Sequence, residues 1–319
     1  MRRALIVSGE GIGNVIQSTA AIAVFQDIFR GSLELDVLLP GHQAWVPLIE
    51  GSVRVFTKPD PTQDYAYIIP SWLLHPYTMK MSAVRRGSSK VVPGGDPLKL
   101  NTSESEAHVR AVLEVARIEG MDLASPPRIR TWCNHTVPHK LNPYIEGKGP
   151  RICLHDGGNP VRFWKAKRYP FWQSVYEIIN AEIPEATFLV LGTARDGNIS
   201  GKNVVDMRKT CSLLETAGIL READLFMGND TGLAHVAAAL GTSACIVFGP
   251  TNITKNLPPH NAFPIHETNG LACRPCQRLG GTWRRGVDGR RCHIECLHTL
   301  PAGDVADRIV DALRKKSIT

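Results

Sequence analysis

No apolar run in the 319-residue chain is long enough to cross a bilayer. The opening, Met1-Arg2-Arg3-Ala4-Leu5-Ile6-Val7, mimics the start of a signal peptide, but glycines and Glu10 interrupt it before signal length is reached. A cytoplasmic protein is therefore expected, with its eight cysteines held as reduced thiols or metal ligands rather than disulfides. The Asn-x-Ser/Thr matches at Asn101 and Asn252 are then fortuitous. Short-period repeats and low-complexity tracts are missing too, so neither a solenoid nor a biased segment is expected. Nor is either sign of charge in large excess. Lys and Arg total 37 against 30 for Asp and Glu, a net charge of +7, which favours phosphorylated or other anionic partners without requiring nucleic acid.

What is present is globular. Hydrophobic residues make up 43% and charged residues 21%, near the average that excludes a disordered or fibrous chain, and the length suits two domains. Ala4–Val7 is a short apolar strand that meets Gly9, Gly11 and Gly13 before a periodic stretch through Ile16, Ala20, Ile22, Ala23 and Phe25. Strands follow at 33–39 and 65–69, with helical patterns over 42–50, 73–84 and 104–119. Prolines and glycines between about 120 and 150 mark a linker. Alternation then resumes, with strands at 151–154, 187–191, 225–227 and 244–248 and helices at 170–181, 212–223 and 232–240. The end, 303–316, reads as an amphipathic helix with Val305, Ile309, Val310 and Leu313 inward. Two α/β halves with parallel sheets are expected.

Two loops can meet an anion. Ser8-Gly9-Glu10-Gly11-Ile12-Gly13-Asn14 lies between a strand and a helix, where glycines permit close backbone approach and free amides favour negative charge. It lacks the third glycine of a dinucleotide fingerprint, since Ile16 stands there. In the second half, a strand ending in Gly228-Asn229-Asp230-Thr231-Gly232 opens a small-residue helix that Asp230 or Thr231 can cap. His235 lies within that helix, as a core histidine or a ligand contact.

The run GNDTGLAHVAAALGTSACIVFGPT (228–251) resembles the signature of glycosyltransferase family 9, the bacterial heptosyltransferases of lipopolysaccharide assembly. Three further stretches fall in that family's order: ALIVSGEGIGNVIQSTAAI (4–22), SEAHVRAVLEVARIEG (105–120) and KRYPFWQSVYEII (167–179). The resemblance implies a GT-B fold, two Rossmann-like domains facing across a cleft. The acceptor-side domain is then 1–145, the nucleotide-sugar domain 150–300 with a cysteine-rich finger at 270–298, and the C-terminal helix 301–319. It also implies inverting transfer, without a catalytic metal, of a sugar from a nucleotide-diphosphate donor. ADP-heptose is the expected donor, and the acceptor is a glycolipid, glycan or protein, reached in the cytoplasm or peripherally at the inner membrane.

By the same resemblance Lys167 faces the diphosphate, with Lys165 and Arg168 as neighbours able to substitute, and Asp230, Thr231 and Gly232 form the phosphate turn, which Asp230 orients. Gly11, Gly13 and His235 complete the expected binding set. One position departs from the family. Relatives carry Gly-Asp where this chain has Gly13-Asn14, and a carboxamide accepts no proton usefully at neutral pH. Either Glu10 on the same loop is the base, or another carboxylate is, or the protein binds donor without turning it over.

Cys273-x2-Cys276 and Cys292-x3-Cys296 are two close pairs able to close a four-thiolate site for zinc or iron. The alternative is reduced thiols. Six arginines and Trp283 lie in this segment, so a zinc-ribbon-like binder of nucleic acid is a further alternative, which leaves the 228–251 run unexplained.

Overall fold

A computed structural model describes the chain except residues 1, 10, 42, 61, 72–88, 142, 144–148, 160–161, 269, 278–293 and 317–319. It divides into two compact units, one of Met1–Asn134 and a second beginning at His135.

In the first unit, strands β1 (Arg3–Val7), β2 (Glu34–Leu38), β3 (Arg54–Phe56), β4 (Tyr67–Pro70) and β5 (Lys90–Val91) form one sheet in the order β3-β2-β1-β4-β5. Every pairing is parallel, with Ala4 opposite both Leu35 and Tyr67. Helix α1 (Ile12–Phe29) is apolar nearly all round because it is covered on two sides, by the sheet and by helix α2 (Glu104–Ile118). Its buried Ser18 and Thr19 hydroxyls donate to the carbonyls of Val15 and Ile16 at 2.7 and 2.6 Å, and Thr19 Oγ1 also accepts from the Trp132 amide at 2.9 Å. A reciprocal cap starts α2: Ser103 Oγ accepts from the Glu106 amide at 3.1 Å, and Glu106 accepts from the Ser103 amide at 2.8 Å. At the amino ends of the strands the fully buried Asp36 accepts from Arg3, Arg54 and Tyr65, which ties β1, β2 and β3 together.

The second unit repeats the plan. Strands β6 (Arg151–His155), β7 (Thr187–Val190), β8 (Val204–Asp206), β9 (Leu225–Asn229), β10 (Ser243–Val247) and β11 (Ala262–Ile265) lie in the order β11-β10-β9-β6-β7-β8, again all parallel. Helices α3 (Trp172–Glu182), α4 (Leu213–Glu222), α5 (Gly232–Ala239) and α6 (Ala302–Lys316) accompany them. The core joins Trp172, Tyr176 and Ile179 of α3 to Phe188, Leu225 and Met227 of the sheet and to Val305, Ile309 and Val310 of α6. The inward stripe expected for α6 is thus its packed face. Because both faces of the central strands are covered, they read as unbroken apolar runs.

The two parallel α/β halves are as expected. The pattern over 42–50 is not an α-helix but a 3-10 stretch, Gln43–Leu48, with Pro47 inside it, where the missing amide and the ring block α-helical bonding. The helix expected over 73–84 lies outside the described residues. The outer strands β3, β5, β8 and β11 go beyond the periodicity reading; each has two to four residues and is too short to show a pattern.

Candidate functional site

In each sheet the strand order reverses beside the first strand of its unit, and ligands of such sheets bind outside the carboxyl ends of the strands at that reversal. In the second unit the strands concerned are β6 and β9, which end at His155 and Asn229. Asn229 is fully buried, and its carboxamide is satisfied on both sides. Its Oδ1 accepts from the Tyr169 amide and the Trp172 indole, each at 2.9 Å, and its Nδ2 donates to the carbonyls of Asp156 and Gly157 at 3.0 and 2.9 Å. One side chain therefore fixes the loop after β6 and the segment that carries Lys167.

Lys167 Nζ lies 2.8 Å from Asp230 Oδ2 and 5.1 Å from the centre of the Trp164 ring. Burial alone would raise the Asp230 carboxyl, but Lys167 outweighs it, assisted by His235 and Thr251, and holds the group below its ordinary range. Asp230 is 4% exposed and Lys167 16%, so the carboxylate is enclosed while the ammonium keeps access to a ligand. Two of the expected site residues, Lys167 and Asp230, are thus brought into direct contact.

Thr231 occupies the N-cap position of α5, yet its hydroxyl makes no bond to that helix. It pairs instead with His155 Nδ1 at 3.0 Å, while His155 Nε2 lies 3.6 Å from Asp196 Oδ2. The side-chain cap expected from Thr231 is therefore absent, and the first amides of α5, at Gly232, get no bond from the Thr231 side chain. His235, inside α5, is buried and acts on Asp230 electrostatically. Asp196 accepts from the Thr193 amide at 2.6 Å and the Gly158 amide at 3.1 Å. Although burial opposes it, His155 and these amides hold the carboxyl far below the usual carboxylate range. Arg168 turns inward to the Gly158 carbonyl at 2.6 Å and approaches Asp196 at 3.5 Å. Burial pushes the neighbouring Asp156 up.

His155 and Asp196 escape a reading by motif because they are 41 positions apart and meet only through the strand order. The available signal is the sequence His155-Asp156-Gly157-Gly158, polar and glycine-rich directly after a buried strand.

In the first unit the glycine loop follows β1. Gly11, at φ +106°, occupies the N-cap of α1, and Gly13 lies in its first turn. Asn14 folds back over the loop, so a Cβ on Gly9 would come within 2.8 Å of Asn14 Nδ2. Glu10 lies outside the described residues. So does Cys292; of the other expected metal ligands, Cys273 is exposed, Cys276 is buried against Ala166 and Ile294, and Cys296 is buried. Cys276 Sγ turns to the Cys273 carbonyl at 3.1 Å. Among the described residues no three His, Cys, Asp or Glu side chains gather as a metal set.

The model of the family described as glycosyltransferase family 9 (heptosyltransferase) matches residues 160–281. The chain is 26% identical, over 204 residues, to lipooligosaccharide heptosyltransferase 2 of Campylobacter jejuni subsp. jejuni serotype O:6; the match covers 57% of each protein. The chain thus spans little more than half of that relative's length. In fold it is similar to Escherichia coli ADP-heptose LPS heptosyltransferase II, with a TM-score of 0.66 at 15% identity over 99% of this chain and all of that one. It is also similar to the dodecameric iron-containing heptosyltransferase TibC, solved with ADP-D-beta-D-heptose, with a TM-score of 0.64 at 15% identity over 99% of this chain and 77% of that one.

Proposed function

We propose that this chain, heptosyltransferase-like of glycosyltransferase family 9 by sequence and by fold, is a glycosyltransferase that takes its sugar from a nucleotide diphosphate held by the second unit. The observation that carries the reading is the Lys167–Asp230 ion pair at 2.8 Å, set beside the start of α5 at the carboxyl edge of the sheet. Inverting transfer breaks the bond between the sugar and the diphosphate while the acceptor oxygen attacks from the opposite side. The departing diphosphate gains a negative charge, and a fixed ammonium with helix amides stabilises that charge without reorganising. Asp230 holds Lys167 in place rather than meeting the phosphates.

ADP-heptose is the donor we assign, with a lipopolysaccharide-type glycolipid, glycan or protein as acceptor. The relatives' names support both. The glycine loop of the first unit, with Gly11 and Gly13, is assigned to the acceptor side, where Glu10 takes the acceptor proton in place of the carboxamide Asn14. A Glu10→Gln variant then binds donor normally and transfers nothing; near-normal turnover removes Glu10 from the mechanism.

The test of the donor site is calorimetric titration of ADP-, UDP-, GDP- and dTDP-sugars into wild type and Lys167→Ala. Selective binding of one of them, weakened at least about tenfold by loss of the cation, is expected. Absence of binding by all four overturns the reading.

A further inference from the structure

The Thr231 hydroxyl at the start of α5 is engaged from behind by a pair of titratable side chains. Behind it lie His155 and then Asp196, each side chain about 5% exposed. The pair sits in a close-fitting pocket of glycines. A Cβ on Gly192, where φ is +127°, would lie 2.6 Å from Asp196 Oδ2 and 3.0 Å from the His155 ring, and a Cβ on Gly157 would lie 2.0 Å from Asp196 Oδ1. Any larger residue at these positions would displace the histidine or the acid.

The hydrogen positions follow from donors and acceptors. Asp196 in its ionised form is an acceptor 3.6 Å from Nε2, an ion-pair contact rather than a hydrogen bond, and its charge favours a proton on that nitrogen. Nδ1 has two choices. In neutral imidazole it accepts the Thr231 hydroxyl hydrogen, which then points away from any ligand. In imidazolium it donates to Thr231 Oγ1, and the hydroxyl hydrogen is released to point outward. A phosphate oxygen is an acceptor and selects the second arrangement.

We infer that His155 takes up a proton when a nucleotide-diphosphate sugar binds, and that the protonated ring, held by Asp196, turns the Thr231 hydroxyl onto the diphosphate. The proton comes from solvent, and His155 makes and breaks no covalent bond. His155 is thus a positioning residue acting through Thr231, and the inference rests on the donor site proposed above. The groups that face it are Asp196 from the loop after β7, Asp156 from its own loop, and Arg168 and Arg208, which flank Asp196.

Calorimetry of the selected nucleotide-diphosphate sugar in buffers of different ionisation enthalpy counts the protons taken up. Such sugars are phosphodiesters with no phosphate titrating near neutrality, so the count belongs to the protein. Wild type takes up protons on binding, and His155→Asn takes up none and binds about tenfold more weakly. Thr231→Ser keeps the uptake and Thr231→Val loses it, which tests the inference without altering the buried ring. Adding His155→Asn to Thr231→Val costs no further affinity, because one acts through the other. Binding with no uptake, or uptake that survives in His155→Asn and disappears in Asp156→Asn, overturns the inference and leaves the donor site standing. Failure of every sugar to bind wild type overturns the donor site itself.

Discussion

Asn229 and Trp172 are joined by a hydrogen bond of 2.9 Å from the indole to the carboxamide oxygen, wholly inside the second unit and 57 positions apart in sequence. The same oxygen takes the Tyr169 amide, and the same side chain holds two carbonyls of the loop after β6. Replacing it by Leu removes the partner of one backbone amide, one indole N–H and two carbonyls. Asn229→Leu is expected to lose about 3 kcal/mol or more of stability in urea unfolding, since each such bond contributes about 1 kcal/mol and orphaned partners add to the loss. Donor binding is expected to weaken with it, because the Lys167 segment is released.

The Lys167–Asp230 pair predicts a pH-dependent stability. The Asp230 value in the folded protein is below its unfolded value of about 3.9, so its contribution is fully present above that pH and is lost as pH falls through the folded value. Lys167→Met leaves a buried carboxylate uncompensated and is expected to cost about 3 kcal/mol at pH 7. On acidification the gap closes, first because the variant gains as its Asp230 takes up a proton, then because wild type loses. Denaturant melts between pH 7 and 3 test this; a gap independent of pH contradicts it.

Helix α4 begins with a reciprocal cap, in which Ser212 Oγ accepts from the Glu215 amide at 3.2 Å and Glu215 from the Ser212 amide at 2.7 Å. Ser212→Ala is expected to lower stability by about 1 kcal/mol, and Ser103→Ala in α2 by a similar amount. Thermal or urea unfolding of the two variants measures it.

The thiols separate by environment. Burial pushes Cys133 and Cys245 up to about 12 and raises Cys153 further, whereas Cys273 is exposed. Iodoacetamide on the native protein is expected to label Cys273 and to leave those three untouched until denaturant is added, as peptide mass mapping reports. Early labelling of Cys153 contradicts the structure.

Much of this architecture is legible from letters alone because both units use buried parallel strands, whose apolar runs stand out from the helices between them. The glycine loop after Val7 and the turn at Asp230-Thr231-Gly232 announce themselves for the same reason, since each interrupts such a run. The short outer strands do not: Arg54–Phe56 and Val204–Asp206 span three residues each and are only partly buried. At the candidate site Lys167 and Asp230 can be named in advance, but not their pairing. The His155–Asp196 contact and the inward turn of Arg168 depend on β6 lying between β9 and β7, a fact of strand order that no local window contains. Thr231 shows the limit of a local rule. Its residue type and position suit a cap, and His155 takes its hydroxyl instead.

That every described strand pairing is parallel has a consequence for how the protein is made. No strand can pair with the next through a hairpin, so each sheet waits for chain that has not yet left the ribosome. Strand β1 receives β4 about 60 residues later, and β6 receives β9 about 70 residues later. Through those intervals the central strand of each unit presents an open apolar edge, the condition under which nascent chains associate wrongly. Pausing of synthesis between β7 and β9 is therefore expected to prolong exposure of the β6 edge, and a chaperone that shields that edge is expected to raise the yield of folded protein.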